Sequence, residues 1–117
     1  MNEGFTNDSW SDALARYDKL VGAGWQHISD FRNLVSAIGR SPEAAGLIAI
    51  TSHDTLMLSP YTRYPDWFDG RHIRVHPLPN GHVRVTKYPE FPQRPAETWT
   101  VSVAEAQDLI LRLIADL

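Results

Sequence analysis

The chain has no cysteine among its 117 residues. That excludes disulfides, thiolate nucleophiles and cysteine-ligated zinc, and it leaves the compartment open with the cytoplasm as the expectation. No apolar run approaches the roughly 18 residues a membrane span needs. The opening MNEGFTNDSW is acidic and polar, without the basic and apolar pattern of a signal peptide. Neither Gly-x-Ser-x-Gly nor His-Glu-x-x-His occurs, so no motif dictates a hydrolytic chemistry, and nothing implies a cofactor. With 43% hydrophobic and 21% charged residues, the composition is that of an ordinary globular protein, long enough to bury one core as a single domain over 1–117.

What is present centres on RHIRVHPLPNGHVRVTKYP, residues 71–89. Ile73 and Val75 alternate with His72, Arg74 and His76, and Val83 and Val85 alternate with His82, Arg84, Thr86 and Tyr88. Period-2 alternation of β-branched residues marks half-buried strands. Pro79-Asn80-Gly81 suits a three-residue loop with glycine in the left-handed position. A two-residue turn would set Val75 against Thr86, mixing apolar and polar on one face. The three-residue loop instead pairs Val75 with Val85 and Pro77 with Val83, so the spacing predicts that register. The outer face then aligns His72 with Tyr88, Arg74 with Thr86, and His76 with Arg84. Such a stripe is either a solvated sheet face or a contact surface.

Charge is unevenly distributed. The net charge is −3, yet residues 60–95 carry six basic groups against three acidic ones. This segment is a positive island between two acidic flanks, and fields of this kind steer partners.

Before the island, Ser9-x-x-Asp12 has the form of a capping box, followed by Trp10, Leu14, Tyr17 and Val21 at helical spacing. Gly22-Ala23-Gly24 interrupts the pattern. It lacks the preceding strand and the lysine of a phosphate loop. Trp25, Ile28, Phe31, Leu34, Val35 and Ile38 then predict a second helix that stops at Gly39, ahead of Pro42. Residues 46–51, apolar on both faces, predict a central strand, and Leu56–Leu58 predict another. Ser52-His53-Asp54 contains the residue types of a hydrolase triad, but three consecutive turn residues cannot converge as triad members must. Residues 98–102 predict a further strand. Ser102-Val103-Ala104-Glu105 is a second capping box, opening a helix whose apolar face is Ala106, Leu109, Ile110, Leu113, Ile114 and Leu117. The expected fold is α+β: an antiparallel sheet of about five strands, with two N-terminal helices and one C-terminal helix packed on one face.

Two stretches invite chemistry. Residues 59–70 form a long loop with Tyr61, Arg63, Tyr64, Trp67 and Phe68, residue types that anchor interfaces. Within it, Asp66 and Asp69 lie among aromatics that could raise a carboxyl pKa, though Asp69-Gly70 is also a turn dipeptide. Four of the five histidines fall between residues 53 and 82. However, His72 and His76 on one strand would stand about 13 Å apart, and no carboxylate is placed to complete a site with His76 and His82.

The expectation is therefore a non-enzymatic protein-binding module. Tyr61, Arg63, Tyr64, Trp67, His72, Arg74, His76, Arg84 and Tyr88 would engage an acidic patch on a protein partner, aromatics giving desolvated area and arginines bidentate contacts. The layout is similar, in architecture alone, to small bacterial immunity proteins and inhibitors that cap a partner without chemistry of their own. The alternatives are a nucleic-acid-binding accessory domain, against which the acidic net charge weighs, and a small enzyme using the Asp66/Asp69 loop.

Overall fold

The computed structural model describes residues 9–25, 28–61, 70–89 and 96–117. Its elements are α1 (Ser9–Gly22), α2 (Ile28–Gly39), a 3₁₀ turn (Pro42–Ala44), β1 (Ile48–Ser52), β2 (Thr55–Ser59), β3 (His72–Pro77), β4 (His82–Tyr88), β5 (Glu97–Ser102) and α3 (Val103–Ala115). The fold is α+β, as expected.

The five strands form one antiparallel meander in the order β1-β2-β3-β4-β5. Because side chains alternate, one face collects Leu56, Leu58, Ile73, Val75, Val83 and Val85, all fully buried. The helices cover this face. α1 lies beside β1, α3 lies over β4 and β5, and α2 packs against both helices between them. Ile28, Phe31, Val35 and Ile38 of α2 and Ile110 of α3 reach the same core, each burial contributing about 2 kcal/mol. Tyr17 and Phe31 meet edge to face with centroids 5.2 Å apart.

The hairpin has the predicted register. Leu78 N–H donates to His82 O at 2.8 Å, and Pro77, Val75, Arg74 and His72 pair with Val83, Val85, Thr86 and Tyr88. Gly81 holds φ +79°, a conformation that costs glycine least. The N-cap half of the second capping box also forms, with Glu105 N–H donating to Ser102 Oγ at 3.2 Å, while Glu105 Oε1 accepts from the Ser102 hydroxyl at 2.8 Å rather than from its backbone N–H.

Three expectations are corrected. The strand at 48–52 is not central but at an edge of the sheet. Its apolar residues are buried because helices lie on one face and α1 lies along its side, while Ile48 is buried on the other face. Ser9 does not cap α1. Its Oγ accepts instead from Ala49 N–H of β1 at 3.0 Å, and the residues that α1 buries are the small Ser9 and Ala13 together with Tyr17, which let helix and strand approach closely. Trp25 is not part of the α2 stripe. It precedes the helix and is 45% exposed.

Candidate functional site

The sheet face away from the helices carries Ile48, Ile50 and Ser52 from β1, and Thr55, Met57 and Ser59 from β2. From β3 come His72, Arg74 and His76, from β4 His82, Arg84, Thr86 and Tyr88, and from β5 Thr98, Thr100 and Ser102. None of these strand positions holds Asp or Glu, although the chain has 14 acidic residues. The helices, by contrast, take Asp12, Asp18, Asp30, Glu105 and Asp108. Arg74 and Arg84 of the basic island thus share a face whose strand positions hold no carboxylate, with Asp54 of the β1–β2 turn at its margin.

On that face His72, Arg74 and Tyr88 are locked together. His72 is fully buried. Its Nε2 lies 3.1 Å from Arg74 Nε and its Nδ1 3.0 Å from Gly70 O. Since Arg Nε–H only donates, His72 Nε2 accepts and Nδ1–H donates to the carbonyl, which sets the tautomer. Tyr88 stacks on the imidazole at 4.8 Å, 11° from parallel, and the Arg74 guanidinium sits 4.6 Å from the Tyr88 ring centroid. The stack presents the Tyr88 ring and part of Arg74, while His72 supports them from beneath.

Next to it an open cleft of about 630 Å³ runs between β1 and β3. Ile50 and Met57 form its apolar floor, Arg74 and His76 one wall, and Asp54 and Thr55 its end. His76 Nδ1 is 2.8 Å from Thr55 Oγ1 and 3.5 Å from Asp54 Oδ1. This is the nearest approach to a hydroxyl–imidazole–carboxylate set among the described residues. It lacks relay geometry, however, because the hydroxyl and the carboxylate meet the same ring nitrogen, whereas a triad needs one on each. His53, in the turn above, has φ 58°, a strained value for a residue with a side chain. Among the described residues no three His, Asp or Glu side chains gather as a metal site.

Arg84 stands opposite His76. It is exposed and makes no hydrogen bond or ion pair with any described residue. Tyr61 lies half-buried, its hydroxyl accepting from Arg71 Nη1 at 2.9 Å, with that guanidinium 5.6 Å from the ring centroid. Of the nine expected site residues, the fold therefore groups His72, Arg74 and Tyr88, sets His76 and Arg84 on the same face, and places Tyr61 against Arg71. Arg63, Tyr64 and Trp67 lie outside the described residues, as do Asp66 and Asp69.

Ile50, Asp54, Thr55 and Met57 were not foreseen as neighbours of the histidines. The signal that would find them is the β2–β3 register, Leu56 with Val75, which carries Thr55 opposite His76. No helix among the described residues is long and apolar enough to cross a membrane. No protein-family model matches the chain, and comparison with curated proteins and with solved structures finds no match.

Proposed function

We propose that this domain is a non-enzymatic, cytoplasmic protein-binding module, in the manner of an inhibitor or immunity protein, that receives an acidic surface of a partner on the outer sheet face. The observation that carries this reading is the face whose strand positions bear Arg74, Arg84, His76 and His82 and no carboxylate, on a chain whose net charge is −3. A rigid sheet spends little ordering entropy on binding. Arg84 is the cation offered to solvent, Tyr88 with Arg74 supplies a stacked anchor, and the cleft beside them admits a side chain. The 61–68 segment, with Tyr61, Arg63, Tyr64 and Trp67, would contribute further contacts to the same partner.

Arg84→Glu is the cleanest test, because Arg84 is exposed while Arg74 holds His72 in place. Immobilised wild type should retain a protein from native lysate that Arg84→Glu loses, with retention falling as salt is raised. The melting temperatures of the two should agree to within what about 0.5 kcal/mol produces. Equal retention by both chains would count against the proposal, and so would tight heparin binding, which points to nucleic acid.

A further inference from the structure

The two edges of the sheet are finished differently. The β1 edge is flanked by α1, whereas β5 is the terminal strand at the other edge, with no further strand pairing beyond it among the described residues. β5 carries few of the usual protections of an open edge: Glu97 is its one charged residue, Glu97–Ser102 contains no proline and no lysine, and its six residues pair with β4 without a bulge.

The hydrogen-bond phase of β5 can be read from one contact. Val103 N–H donates to Gly81 O at 3.0 Å, so Val103 and, with alternation, Val101, Trp99 and Glu97 direct their backbone groups toward β4. Thr98 and Thr100 direct both of theirs outward, and Ser102 directs its N–H outward while its carbonyl, as the N-cap of α3, accepts the first intrahelical bond. Apart from the β4 ladder, the hydrogen bonds of β5 residues among the described residues are the Thr86–Thr98 hydroxyl pair and the Ser102 cap of α3, while Trp99 and Val101 pack inward on the core.

We infer that β5 is a self-association edge: two copies pair antiparallel about a two-fold axis at Thr100, joining two five-stranded sheets into one of ten. This register is self-complementary. Thr100 meets Thr100 of the second copy and exchanges both backbone bonds with it, Thr98 meets Ser102 and accepts from its outward N–H, and hydroxyl side chains face hydroxyl side chains. On the helix side Trp99 meets Val101, two half-buried apolar residues at the margin of the core. Glu97 falls opposite Val103, the first residue of the other copy's α3, where a helix N-terminus favours negative charge. A register shifted by two would set Glu97 against Val101 and leave Ser102 N–H outside the pairing. The seam adjoins β4, where Arg84 stands opposite Thr100, but pairing uses only the edge of β5 and does not rest on the partner-binding proposal.

The test is sedimentation of the full chain at micromolar to submillimolar concentrations, with wild type beside Thr100→Pro. Proline at 100 removes only an outward N–H, a place where an edge strand tolerates it. Wild type should reach twice the chain mass, with amides of Thr100 and Ser102 protected from hydrogen exchange as concentration rises. Thr100→Pro should sediment as a monomer, with an unchanged circular dichroism spectrum. If that variant fails to fold, Thr100→Lys must give the monomer instead. A wild type that stays monomeric over the whole range overturns the inference. So does a dimer that survives either substitution, or protection of these amides only when a different protein is added.

Discussion

At the β1 edge, outward backbone groups meet a helix; at the β5 edge they meet nothing among the described residues. Ser9 Oγ accepts from Ala49 N–H at 3.0 Å, and Trp10 Nε1 donates to Leu47 O at 3.1 Å. Further along, Tyr17 OH donates to Asp54 O at 3.1 Å in the turn that follows β1. α1 thus runs beside the edge and answers part of it with side chains, reaching Leu47 O and Ala49 N–H. The cover is possible because small residues at 9 and 13 let the helix come close, and because Gly39 leaves room for Trp10: a Cβ at Gly39 would stand 2.7 Å from Trp10 Cε3. β5 runs straight into α3, which folds back over the inner face and leaves the strand's flank uncovered. An edge is therefore closed by what packs alongside it, and among the described residues a helix lies alongside β1 and not alongside the outer flank of β5.

Removing the cover should separate the edges most strongly. Trp10→Ala deletes the donor to Leu47 O and the ring against Gly39, and it should lower unfolding free energy in urea by about 2–3 kcal/mol, while also making the β1 edge sticky. Thr100→Pro at the other edge should cost far less than that, and the ratio of the two losses measures how unlike the edges are. Ser9→Ala leaves buried Ala49 N–H without an acceptor and should cost about 1–2 kcal/mol; a loss no larger than a surface substitution gives would show that water replaces the hydroxyl.

The smallest effect at neutral pH, about 1 kcal/mol, is expected of Tyr17→Phe, but its pH dependence is diagnostic. Burial pushes the Tyr17 phenol well above its ordinary value, the Asp54 carboxylate pushes it further, and Arg16 opposes them. With the folded pKa raised, the unfolded chain loses this proton first. The contribution is therefore complete below about pH 10 and is lost as pH rises beyond it. Wild type should lose stability above that pH more steeply than Tyr17→Phe, as measured by urea midpoints. Parallel curves would mean that the phenol is not shielded as the α1 cover requires.

Much of this fold was legible in the residues. The three-residue loop of the hairpin followed from Pro79-Asn80-Gly81 and from which register keeps valines together. The α3 cap followed from Ser102 and Glu105, three apart. Errors arose where burial had a different source from the one assumed. Residues 48–50 are apolar on both sides, which ordinarily signals a central strand, but a flanking helix and a buried outer face produce the same composition. Trp25 fits the α2 rhythm in phase, yet the helix starts after it, because spacing carries no information on where a helix begins without a cap. Ser9 was legible as a hydrogen-bonding serine, but its partner lies 40 residues away.

The candidate site divides the same way. Local alternation was enough to put His72, Arg74, His76, Arg84 and Tyr88 on one side of a hairpin, since successive side chains in a strand can only point to opposite faces. Whether each reaches solvent depended on neighbours distant in the chain. His72 is buried and acts as a support for Arg74, and His76 meets Asp54 and Thr55 because β2 lies against β3. The covering of one sheet edge and not the other was likewise invisible in the residues, since it depends on where α1 comes to rest. Patterning within a segment follows from backbone geometry and hydropathy, which are local. Pairing order, edge protection and the burial of a polar ring are set by contacts between segments, and no single stretch carries them.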